Sequence, residues 1–232
     1  MTVAGLVLTP EEALDQMAAL GDTERARGME AYHKVARPYL GIAMPDLNAL
    51  TQGWRREMTV PDRVALARGL WSTNVFEARV GAAKLLTQAR MTPDIEVWRQ
   101  IADWVAEFDS WAIADHTASA GGRRLLADPT RLDEVETWLA RDHLWSRRAA
   151  LVMTLPWAKL PNPKPAELDA RERILGWAAG LVADRNWFIQ KAVAWWLRDL
   201  SKHAPDRVRA FLDRHGAGMK GFARKEAGKH LK

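Results

Sequence analysis

The 232-residue chain contains no cysteine. That absence excludes disulfides, thiolate metal sites and cysteine nucleophiles. The six histidines, at 33, 116, 143, 203, 215 and 230, show no HExxH or other ligand spacing, so no metal site is expected. The glycines of GAGMKGFARK lack the P-loop pattern and its preceding strand, and there is no GxSxG elbow; no cofactor is expected. No segment approaches about 18 consecutive apolar residues, and MTVAGLVLTPEEALDQ lacks the basic region and long apolar run of a signal peptide. The expectation is a cytoplasmic protein without membrane attachment. Runs of alternating β-branched and polar residues are missing too, which argues against a sheet.

What is present is a chain that is 48% hydrophobic and 27% charged, with a net charge of +5. Its length suits one domain over 1–232, with N-terminal helices at 9–37 and repeats from about 45 onward. The charge is uneven. From Arg185 onward twelve Lys/Arg face four acids, an excess of eight positive charges, which leaves residues 1–184 net negative by three. A basic C-terminal fifth suits a polyanion partner, although a solvated basic face is the plainer alternative.

Nearly every segment reads as a helix. In TPEEALDQMAAL, Thr9 is placed as N-cap, Pro10 at the first helical position and Glu12 as the third residue of a capping box. Similar starts are expected at Pro45, Pro61, Thr92 with Pro93, and Pro165, followed by apolar residues three and four apart. Four charged positions recur among these helices: Arg79, Asp115, Arg148 and Lys191, at spacings of 36, 33 and 43 residues. Each lies four residues after an apolar residue (Val75, Trp111, Leu144, Trp187), and Ala82, Ala118, Leu151 and Ala194 lie seven after that residue. Such positions share one helix face, so each charge sits within an apolar or small stripe. Periods of this size, with two helices each, predict an all-α helical-repeat solenoid of the HEAT or armadillo type. Equivalent helices would then line one concave wall.

The last of these helices, RNWFIQKAVAWWLRDLSK, sets Trp187, Lys191, Trp195, Arg198 and Lys202 on one face and Phe188, Ala192, Trp196 and Leu200 on the next, which reads as core. Interleaved indoles and bases suit phosphate and sugar contact. Most of the 12 tryptophans, including Trp98, Trp104, Trp138 and Trp177, are read as structural; Trp111, Trp187 and Trp195 are singled out. Arg148 suits bidentate binding of phosphate, or else an internal carboxylate, while Arg147 is expected in solvent. Asp115 is the acid among bases. With Trp111 one turn before it and Ala118 and Gly122 along the same face, it suits stabilisation of developing positive charge or an internal pairing with Arg148, while Asp109 reads as the N-cap of its helix.

From about Met29 to Leu231 the chain resembles the AlkD-like DNA alkylation repair family of HEAT-like DNA glycosylases. The resemblance rests on YLGIAMP at 39–45, WxxxD from Trp111 to Asp115, LWSRRAA at 144–150, NWFIQKAVAWWLRDLSK at 186–202 and the late ARKEAGKHL. It implies a concave basic DNA-binding groove, with Asp115 as catalytic carboxylate and Trp111 and Trp195 as the aromatic residues at the lesion. It also implies a phosphate contact for Arg148 and a further basic position at Arg198, while Trp187, Lys191 and Lys202 join the DNA-binding set from their shared face. The implied substrate is duplex DNA carrying cationic N3- or N7-alkylated purines, bound by a nucleoid-associated monomer without base flipping. Ala43 stands where the family has glutamine, and WAIAD retains the key carboxylate but loses an adjacent acid. The alternatives are a non-catalytic repeat protein that binds damaged or branched DNA, and a protein-binding scaffold.

Overall fold

The computed structural model describes residues 8–231. Its described residues form helices and connecting turns without a strand, and fall into two compact units that meet in sequence between Arg124 and Leu125. Residues 1–7, the apolar start weighed above as a signal peptide, lie outside the described residues.

The first unit holds α1 (Pro10–Ala18), α2 (Thr23–His33), α3 (Met44–Glu57), α4 (Val60–Ser72), α5 (Phe76–Leu85), α6 (Ile95–Trp104) and most of α7 (Trp111–Ala127). The Thr9 capping box is formed, with Glu12 N on the Thr9 hydroxyl and the Glu12 carboxylate on Thr9 N. Pro45 and Pro61 each sit in the first turn of a helix, as expected. The start expected at Thr92 and Pro93 is displaced to Ile95, and Asp94 makes no cap bond because its carboxylate takes Arg124 Nη1 at 3.0 Å. The core centres on Trp71 and Trp104, stacked at 4.2 Å and 8°, with Phe108 at 6.1 Å from Trp71.

The second unit holds α8 (Leu132–Thr137), α9 (Leu144–Val152), α10 (Leu155–Ala158), α11 (Pro165–Leu181), α12 (Trp187–Ser201), α13 (Pro205–His215) and α14 (Gly221–Ala227). Trp138, Trp157 and Trp196 are fully buried, and Trp196 Nε1 donates to Thr154 O at 3.3 Å. The core face read from α12 is largely borne out: Ala192, Trp196 and Leu200 are buried, while Phe188 is half-buried. The four recurring charges fall within one position of each other in their helices, at residue four of α5 and residue five of α7, α9 and α12. The alternation that spaces them is the helical-repeat architecture expected from the sequence.

Candidate functional site

In the first unit, α7 begins at Trp111, and Ala114 N closes its first turn on Ser110 O at 3.1 Å. Asp109 is not the N-cap. Its carboxylate instead pairs with Arg37, whose side chain is buried and needs a counter-charge. Trp111 is half-buried, with its ring against Tyr32 at 6.2 Å and His33 at 5.7 Å on α2. Tyr32 is 68% exposed, whereas His33 stacks on Phe76 at 4.5 Å. Burial lowers the His33 pKa; the Glu77 carboxylate opposes this and the Arg37 guanidinium adds to it. Asp115 follows one turn after Trp111, half-buried, over the buried Ala112, Ala114 and Ala118. The aromatic support from Tyr32 and His33 has no signal in the sequence, because these residues lie 79 and 78 positions before Trp111 and follow no spacing rule.

Arg79, the first of the recurring charges, belongs to the core. Its guanidinium lies 4.7 Å from the Trp71 ring centroid, Nε donates to Trp71 O at 3.3 Å and Nη2 reaches Glu107 at 3.5 Å. Burial lowers its pKa and Arg37 adds to this, while Asp109 and Glu107 oppose both.

In the second unit, Arg148 is 3% exposed, and its Nη1 donates to Phe188 O at 2.9 Å, holding the first turn of α12. Arg147 is not solvated as expected. Its Nη1 takes the carbonyls of Arg141 and Asp142 at 2.8 and 2.7 Å, and Nη2 reaches Asp184 at 3.3 Å, because the turn before α9 leaves those oxygens without helical partners.

The α12 face carries its indoles and bases as read, with acids that the spacing did not reveal. Trp187 is 49% exposed, packed edge-on to Phe188 and stacked on Phe222 at 5.9 Å, with Lys191 Nζ 5.8 Å from its ring. Lys191 Nζ and Arg198 Nη1 share the two oxygens of Glu226 on α14, at 2.8 and 2.5 Å. Asp199 accepts Trp195 Nε1 at 3.0 Å and faces Arg198, Lys159 and Lys202 at 3.5, 3.6 and 3.7 Å. Four cations thus meet two carboxylates, and the face keeps a positive excess. Among the described residues no group of acids and histidines suits a metal ion, and no helix is long and apolar enough to cross a membrane.

Solved structures share this fold. A predicted DNA alkylation repair enzyme from Enterococcus faecalis aligns with a TM-score of 0.75 at 22% identity, covering 91% of this chain and 96% of its own. The protein smu.31 from Streptococcus mutans aligns at 0.63 and 20% identity, covering 93% and 100%. AlkD2 from Streptococcus mutans aligns at 0.61 and 19% identity, covering 90% and 98%. No curated protein matches significantly. A family model described as DNA alkylation repair enzyme matches residues 13–231, nearly the whole described chain. The chain therefore belongs to the DNA alkylation repair enzyme family.

Proposed function

We propose that, within this DNA alkylation repair role, the protein is a glycosylase that hydrolyses the N-glycosidic bond of cationic N3- or N7-alkylpurines in duplex DNA. The observation that carries the reading is the pair on α7: a half-buried carboxylate, Asp115, one turn after a half-buried indole, Trp111. An alkylated purine of this kind already bears positive charge, so it departs as a neutral base without a general acid. One carboxylate then suffices, in contrast to the pair used by most glycosidases. In this reading Asp115 stabilises the oxocarbenium-like sugar and orients the attacking water, Trp111 on the same helix packs on the deoxyribose, and Trp195 is assigned to DNA contact on α12. Trp187, Lys191, Arg198 and Lys202 hold the backbone, Arg148 serves that contact from beneath by fixing the first turn of α12 through Phe188 O, and the lesion stays stacked in the duplex.

The test is base release from methylated duplex DNA. Asp115→Asn is expected to bind lesion duplex with near wild-type affinity and to lose release of 7-methylguanine by about 100-fold or more, the scale of removing a group that stabilises transition-state charge. Release at the wild-type rate by that variant would sink the assignment of Asp115. A wild-type protein that binds DNA and releases no base supports the non-catalytic alternative.

A further inference from the structure

A cavity of about 660 Å³ opens between α3, α5 and α7 in the first unit. Its wall carries Arg55, Lys84 and His116 with Asn48, Gln52 and Ser119, and includes no carboxylate among the described residues. Arg55 closes the C-terminal end of α5, donating from Nη1 to Lys84 O at 3.3 Å and Thr87 O at 2.7 Å. Those carbonyls are the acceptors that would ordinarily attract a lysine at a helix end. Lys84 is therefore left half-buried beside another cation, with no ion pair among the described residues. Burial, with Arg55 adding to it, lowers its pKa. The hydroxyls of the wall are spent on helix carbonyls, Ser119 Oγ donating to Asp115 O at 3.1 Å, so two cations held together without an acid and rimmed by the side-chain amides of Asn48 and Gln52 are relieved by an anion with several acceptor oxygens. The volume lies in the range of small-ligand sites.

We propose that this cavity is an anion site that takes a phosphate group. Phosphate is common to a nucleic-acid backbone and to a free nucleotide. His116 and Ser119 lie one residue and one turn beyond Asp115 on α7, which favours the backbone as source; that preference rests on the repair reading above, whereas the anion site does not.

The experiment compares wild type with Lys84→Gln and Gln52→Glu. Gln52 is exposed on α3, so its replacement adds a carboxylate at the rim without disturbing packing. Calorimetric titration with inorganic phosphate and a deoxynucleoside monophosphate is run beside binding to undamaged duplex at several salt concentrations. Both variants are expected to lose affinity several-fold. A backbone occupant also makes the slope of log K against log salt shallower by about one in Lys84→Gln. A loss confined to phosphate and the monophosphate identifies a free nucleotide as the ligand. Unchanged binding of all three probes by both variants overturns the site. Base release is not read, so failure of the glycosylase reading leaves this outcome intact.

Discussion

His116 shares its cavity with Lys84 and Arg55, and its pKa falls to about 4, through burial first and the Lys84 charge second. In the unfolded chain the ring regains its ordinary value near 6.5. Between these values the unfolded state holds a proton that the folded state lacks, so stability falls as pH drops from about 6.5 toward 4 and is unaffected above that window. At full extent the effect is about 3 kcal/mol, from about 1.4 kcal/mol per pKa unit. His116→Gln is expected to flatten this acid limb, seen as a smaller difference in urea midpoint between neutral pH and about pH 4.5. Equal acid sensitivity in variant and wild type would refute it. Nothing in the sequence distinguishes His116 from the other five histidines, because its environment comes from α3 and α5, more than 30 residues away.

At the scale of elements, the helix starts are the most legible feature, because capping is local: Thr9, Glu12, Pro10 and Pro165 act within one turn. The stretch YLGIAMP was recognisable only as a family likeness, and its physical reason lies on another helix. The buried Glu77 carboxylate of α5 accepts Leu40 N at 2.9 Å, Gly41 N at 2.7 Å and Ile42 N at 3.2 Å. Gly41 has a φ of 75°, and a Cβ there would stand 2.0 Å from Asp22 O and 2.6 Å from Ala26 N at the start of α2. The loop is wedged between α2 and α5, and only glycine fits the wedge. Gly41→Ala is expected to cost about 2 kcal/mol or more, from backbone strain alone before the clash is added. A denaturation midpoint shift equivalent to less than about 0.5 kcal/mol would show that the loop yields.

For the whole molecule, the basic bias of the last fifth was plain from the residue counts, whereas its local neutralisation was not. Glu226 meets Lys191 and Arg198 from 35 and 28 residues away, and no spacing rule reaches that far. The indole and base positions on α12 were legible because they share one helix; their acid partners were not, because α14 supplies Glu226 through packing. Glu226→Gln is expected to tighten binding of undamaged duplex and to steepen its salt dependence by about one in log–log slope. A weaker or unchanged affinity would mean that the carboxylate does not compete with phosphate. While it remains in place, Glu226 acts as a captive counter-ion that dilution and dialysis cannot remove. A phosphate arriving at Lys191 and Arg198 then meets partly cancelled charge and frees fewer condensed cations from the DNA. The footprint inferred from the wild-type salt slope should therefore come out smaller than the number of phosphates the protein touches.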